Sequence, residues 1–183
     1  PETGSPDRMS FYLSKNDLKF VVTSTIKAEH CEVSSFVSEH GDGVKRWSME
    51  VDDVQRIFDH ATKNGAVPVT PPREYKDDNG VFLEAAIKLY DDTQLMFVNR
   101  DDYKGIHRPG FDEPRQKITL DRHDTGIRNI DHIVGNVRVN EMNLWASYFE
   151  KALAFETFVD FGPGDISTRY SALLSKVVRS SDS

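Results

Sequence analysis

The sequence holds one cysteine, Cys31, in 183 residues. No internal disulfide can form, and the cytosol is the default expectation for its compartment. No stretch approaches the ~18 consecutive apolar residues that a membrane helix needs. The first residues, Pro1-Glu2-Thr3-Gly4-Ser5-Pro6-Asp7-Arg8, lack the apolar core of a signal peptide. Positive charge is also in deficit. The 23 Lys and Arg against 30 Asp and Glu leave a net charge of −7, which argues against nucleic acid or an anionic membrane surface as partner. An H-E-x-x-H pair, a Cys cluster and a G-x-x-x-x-G-K-[ST] phosphate loop are missing too. What is present, 38% hydrophobic and 29% charged residues, is the composition of a folded chain of one domain or two small ones.

The pattern opens with two β-rich runs, Met9–Leu13 and Leu18–Val22, across the polar turn Ser14-Lys15-Asn16-Asp17, which predicts a hairpin. Residues 24–43 show no clean periodicity and are expected to form a long loop, ending in the turn His40-Gly41-Asp42-Gly43. From Val44 to Val51 apolar residues alternate, with Trp47, Met49 and Val51 on one face. Asp52-Asp53 then offers an N-cap to a helix carrying Val54, Ile57, Phe58 and Ala61, and Gly65 closes it. A short run Val67-Pro68-Val69 and a second loop around Pro71-Pro72 lead to an alternating strand, Val81 to Leu89. A turn at Asp91-Asp92 and a return strand, Leu95–Val98, complete a βαβββ order.

Residues 100–128 are rich in Asp, Arg, Gly and Pro, show neither period, and read as a linker. A strand is expected over 130–137, with Asn140 capping a helix whose broad apolar face carries Leu144, Trp145, Tyr148, Phe149, Ala152 and Leu153. Strands follow at 155–159 and 170–178. The βαββ order thus starts again, and repeats of this kind pair to enclose a site. With the two units laid over each other, Arg46 stands where His132 stands, so only the second unit offers a metal ligand there. A strand running straight into Arg179-Ser180-Ser181-Asp182-Ser183 with no partner after it is an aggregation liability, and a hairpin starts almost at the first residue. The chain is therefore expected to be an internal piece of a longer protein.

Among residues that could carry chemistry, Asp131-His132 at the head of a strand comes first, because neutral imidazole is a common ligand for iron and zinc. The bland alternative is a satisfied histidine in a sheet. A two-His-one-carboxylate site for non-haem Fe(II) would need a second His and a Glu from elsewhere. The pairs Asp52-Asp53, Asp77-Asp78, Asp91-Asp92 and Asp101-Asp102 sit at expected turns or a helix start, where Asp serves the local backbone. Cys31, with His30 beside it and no Lys or Arg in its segment, is expected to be a spectator.

Together Pro1-Glu2-Thr3-Gly4, Asp7-Arg8, His40-Gly41-Asp42-Gly43-Val44-Lys45, Arg108-Pro109-Gly110-Phe111, Ile130-Asp131-His132-Ile133-Val134-Gly135-Asn136 and the run Tyr170 to Val178 resemble the 4-hydroxyphenylpyruvate dioxygenase family of the vicinal-oxygen-chelate superfamily. The resemblance covers nearly the whole chain. It implies an α+β fold of repeated βαβββ units that form open, partly closed β-barrels. It also implies a metal-free amino-terminal domain over 1–99, whose second unit is 44–99, a linker over 100–128, and the incomplete start of an iron-binding domain over 129–183. The implied activity is Fe(II)-dependent conversion of 4-hydroxyphenylpyruvate and O2 to homogentisate and CO2 in tyrosine catabolism, by a cytoplasmic homo-oligomer. His132 matches the first iron ligand of the family, Ser175 a polar residue near the substrate, and Val134 a residue lining the pocket. The family's second His and its Glu have no counterpart here, so the segment alone is expected to be inactive. The sister 4-hydroxymandelate synthase shares substrate, iron and first ligand, and these residues do not choose between the two. A metal-free binding or structural module of the same fold is the alternative of another class.

Overall fold

The computed structural model describes residues 6–27, 31–113, 125–162 and 174–180. In chain order its elements are β1 (Arg8–Lys15), β2 (Leu18–Thr25), α1 (Glu32–His40), β3 (Arg46–Glu50), α2 (Val54–Lys63), β4 (Pro68–Asp77), β5 (Gly80–Lys88), β6 (Gln94–Asn99), α3 (Met142–Leu153), β7 (Phe155–Phe161) and β8 (Ser175–Ser180). They make an α+β structure with three open sheets: the hairpin β1–β2, a four-stranded sheet in the order β3-β6-β5-β4, and the hairpin β7–β8. By compactness the chain divides into two units. One comprises the described residues of Pro1–Lys45, Tyr75–Phe82 and Arg100–Val134, and the other those of Arg46–Glu74, Leu83–Asn99 and Gly135–Ser183.

The second of these units holds the expected βαβββ order. In β3, Trp47 and Met49 point inward between exposed neighbours, and β3 lies parallel to β6, Trp47 opposite Leu95 and Met49 opposite Phe97. A parallel pair needs a crossover, and α2 with the β4–β5 pair supplies it. The Asp53 carboxylate accepts the Arg56 N–H at 2.9 Å, as a helix cap should. Val54, Phe58 and Ala61, spaced to share a face, are the buried residues of α2. They meet Ala85, Ile87, Leu95 and Phe97 of the sheet, Leu89 just past β5, and Phe149, Ala152 and Leu153 of α3 in one core, with Trp47, Val51, Ile57, Trp145 and Tyr148 packed at its edge. Leu144, expected on the same face of α3, is instead 63% exposed.

The other unit is built on β1–β2, whose strands run from Arg8 opposite Thr25 to Lys15 opposite Leu18. Asn16 turns the chain at φ +52°, a conformation that Asn tolerates and a tight hairpin requires. Among the described residues of 100–128, no helix forms and Tyr103 makes an isolated bridge to Gly80. The segment is nevertheless packed. Tyr103 is 3% exposed and donates to Asp77 at 3.0 Å, Arg108 lies over the rings of Tyr75 and Phe82, and His107 stacks on Tyr12 at 4.6 Å.

Four expectations are corrected. Residues 32–40, expected as loop, form α1. Val33, Phe36 and Val37 give it one narrow stripe, and Ser34 Oγ both accepts the Cys31 N–H and donates to the Cys31 carbonyl. Pro71 and Pro72 lie inside β4 rather than in a loop; β4 is at the sheet edge, the position where strands admit proline, because every second N–H there faces away from the ladder. No strand forms over 130–137, since no described strand lies alongside it to make a ladder. Asn140 does not cap α3. It sits at φ +71°, and the cap is Glu141, whose side chain makes no capping bond. At the far end, β8 runs on through Arg179 and Ser180, paired with Glu156 and Phe155 of β7. Tyr170 to Leu173 lie outside the described residues.

Candidate functional site

His132 is carried by a backbone stretch that is neither helix nor strand, exposed from residue 129 to 136. Its ring Nδ1 is 2.7 Å from the Asp131 carboxylate, with the side chains 68% and 92% exposed respectively. A carboxylate on one ring nitrogen sets the tautomer and leaves the other, Nε2, as the metal-binding atom, the usual arrangement around ligating histidines. One imidazole so oriented fits the part of a single iron ligand. Among the described residues, no second imidazole, thiol or carboxylate completes a three-ligand group with it. Val134, two residues on, is 76% exposed.

Ser175 begins β8 opposite Phe161. Strand alternation puts it on the face of Val177, away from Val178, which packs on the core. It is half-buried. A polar side chain there can offer one hydroxyl to a ligand on the face of the hairpin turned from the core.

The stretches around His132 are fixed by contacts that no local sequence pattern announces. A side chain at Gly135 would meet the Tyr90 ring, with its Cβ 2.5 Å from Cε2 and 2.6 Å from Cζ, so any larger residue there would have to push the end of the Tyr90 side chain aside. Arg138 binds the Asp91 carboxylate at 2.9 Å. On the amino-terminal side Asn16 Nδ2 donates to the Ile127 carbonyl at 2.6 Å, and the Asp17 N–H donates to that of Arg128 at 3.1 Å. The Val-Gly-Asn part of the motif was the available signal for Gly135; Tyr90 and Asn16 carry none.

The remaining sequence candidates have local duties. His40 ends α1, and Gly41, at φ +73°, closes it with its N–H on the Val37 carbonyl. Asp53 caps α2, Asp77 accepts from the Asn79 N–H and from Tyr103, and the Asp102 carbonyl accepts the Val81 N–H. An open depression at the start of α2, lined by Asp52, Asp53, Arg73 and Glu74 among others, offers no imidazole or thiol. Cys31 is the N-cap of α1. Hydrogen bonds from the Ser34 backbone, the Ser34 hydroxyl and Thr25 bring its thiol down to about 7. His107 is driven the other way from a usable base: burial first, then Arg108, Arg100 and Lys19, hold it down to about 4.

Comparison with known proteins places this geometry. No protein-family model matches the chain. A 4-hydroxyphenylpyruvate dioxygenase from Aspergillus fumigatus is 34% identical over 98% of this chain and 48% of its own length. One from Dictyostelium discoideum is 34% identical over 97% and 49%, and one from Xenopus tropicalis 33% over 97% and 46%. A variant of 4-hydroxymandelate synthase from Streptomyces coelicolor superposes with a TM-score of 0.80 at 22% identity, over 100% of this chain and 50% of that one, which establishes the shared fold. No helix among the described residues is long and apolar enough to cross a membrane. The chain spans about half the length of the curated relatives it matches, and along nearly all of its own length it is homologous to 4-hydroxyphenylpyruvate dioxygenases of the vicinal-oxygen-chelate fold.

Proposed function

We propose that this chain is part of a longer Fe(II)-dependent dioxygenase that converts 4-hydroxyphenylpyruvate and O2 to homogentisate and CO2. The observation that carries the reading is the alignment, at 34% identity over 98% of the chain, with a relative of that name. Residues 1–99 would form the metal-free domain, 100–128 the linker and 129–183 the start of the iron domain. The full-length enzyme would work as a homo-oligomer in the cytosol, in tyrosine catabolism.

His132 Nε2 would supply one iron ligand, with a second His and a Glu outside this chain. When bound, Fe(II) would supply open positions at which the substrate and O2 can meet, while the keto acid substrate would supply the electrons. The protein's own share is orientation. Asp131 holds the imidazole through Nδ1, and Val134 and Ser175 would line the substrate pocket, Ser175 with a hydroxyl that can bind a polar substrate group. A protein with His132 alone has one of three ligands, so the 183-residue chain is expected to bind iron weakly and to turn over no substrate.

The test is product analysis on the full-length protein supplied with Fe(II), 4-hydroxyphenylpyruvate and O2. Homogentisate is expected. 4-Hydroxymandelate would assign the chain to the sister synthase, and neither product, with no iron bound, would assign it to a metal-free module.

A further inference from the structure

Within the unit built on β1–β2, one imidazole sits where two pieces of chain meet. His107 of the segment 100–111 stacks on Tyr12 of β1, ring centroids 4.6 Å and planes 13° apart, and the Phe111 ring stands edge-on to it at 4.8 Å. The same segment is fastened to residues 75–82. Tyr103 donates to Asp77 at 3.0 Å, the Lys104 N–H to the Asn79 carbonyl at 2.8 Å, and Arg108 lies over Tyr75 and Phe82. The hairpin depends on contacts of this kind, because a two-stranded sheet is marginal without cover. One of its faces, Met9, Phe11 and Leu13 with Phe20 and Val22, is 40–54% exposed. Tyr12 belongs to the opposite face, and there it meets His107.

The charges that bear on His107 are positive: Arg108 and Arg100 on its own segment, and Lys19 on β2. Lys19 shares a face with Val21, the residue opposite Tyr12. An imidazolium here would lose hydration and meet three like charges, against the single attraction of a cation for the Tyr12 ring. We propose that His107 is an acid-operated latch: as a neutral ring it holds the β1–β2 hairpin to the segment 100–111, and as an imidazolium among Arg108, Arg100 and Lys19 it releases the hairpin. The segment keeps its own hold on residues 75–82 through Tyr103 and Arg108, so the opening is local. Burial first, then the three charges, hold the ring down to about 4. The closed contact therefore selects the neutral form, and opening grows as pH falls from about 6.5 toward 4.

The test is amide hydrogen exchange of the full-length protein at pH 7.5 and pH 5, corrected for the intrinsic effect of pH on exchange, with β1–β2 compared against β5–β6. Between the two pH values, exchange in β1–β2 should rise at least about fivefold, a figure kept low because the ring is partly in solvent. Exchange in β5–β6 should change less than about twofold, the scatter allowed for an element that stays closed. His107→Phe keeps a ring on Tyr12 without a proton site, and its β1–β2 exchange should stay level. Lys19→Glu, at an exposed strand position, replaces one of the repelling charges by an attracting one and should at least halve the rise; it carries the test if His107→Phe does not fold. An equal rise in wild type and His107→Phe, or an undiminished rise in Lys19→Glu, would overturn the latch by assigning the acid effect to other groups. A matching rise in β5–β6 would overturn it as global loosening. Slower exchange of β1–β2 at pH 5 would overturn it by showing that the attraction of the imidazolium for Tyr12 prevails.

Discussion

Residues 46–50 and 130–137 occupy the same place in two copies of one repeat, and only the first is a strand. Residues 46–50 alternate, with Trp47 and Met49 between polar neighbours, while 130–137 has its apolar residues at 130, 133, 134 and 137. Residues 46–50 have β6 beside them, with Arg46 opposite Gln94 and Met49 opposite Phe97, while no described strand lies beside 130–137. The difference is physical. A strand is a property of a pair, because its N–H and C=O groups must find partners, and a side-chain pattern in one segment says nothing about whether the partner is present. The two copies also divide the chemistry. The paired copy has Arg46 at the position where the unpaired copy has His132, so of the two only the unpaired copy has an imidazole there.

The comparison is broken most sharply by mutating each copy and measuring denaturant unfolding of the 183-residue chain. Phe58 is 8% exposed within the core of the first copy, and Phe58→Ala should cost about 3–5 kcal/mol. Ile133, 54% exposed in the second, should lose less than about 0.5 kcal/mol on replacement by Ala. Equal losses would show that residues 130–137 are in a core after all. Removing the cap of α2 is the next step down: Asp53→Ala should cost about 1 kcal/mol in the same measurement, and no loss would mean that the Arg56 N–H finds water as readily.

A smaller effect belongs to His107. Its folded value lies below that of an unfolded histidine, so the unfolded chain binds the proton first and stability is lost as pH falls from about 6.5 toward 4. His107→Phe keeps a ring against Tyr12 and removes the proton site. Its stability should fall less steeply than wild type across that window, and parallel curves would contradict the buried neutral imidazole. The smallest effect is at Cys31. Serine is itself a preferred N-cap, so Cys31→Ser should leave activity of the full-length enzyme within about twofold and stability undiminished. A tenfold loss of activity would give the thiol a role that its position does not suggest.

How much was legible follows from the range of the interactions. The Asp53 cap, the Val54–Phe58–Ala61 face and the alternation of Leu83, Ala85 and Ile87 are local and were readable. The helix at 32–40 was missed because its stripe has only Val33, Phe36 and Val37 and buries none of them. The strand through Pro71 and Pro72 was missed because prolines are permitted by an edge position that only the sheet order reveals. In the candidate site, His132 and Ser175 stood out through motifs. The supports at Asn16, Tyr90 and Asp91 join residues 45 to 111 positions apart, and nothing in a single sequence pairs them.

The central claim is that His132 is an iron ligand of a 4-hydroxyphenylpyruvate dioxygenase. Its most direct test is Fe(II)-dependent oxygen uptake with 4-hydroxyphenylpyruvate, comparing the full-length protein, its His132→Ala variant and the 183-residue chain. Uptake by the full-length protein alone is predicted, with the variant still folded by circular dichroism. Undiminished uptake by His132→Ala, or turnover by the 183-residue chain, would contradict it.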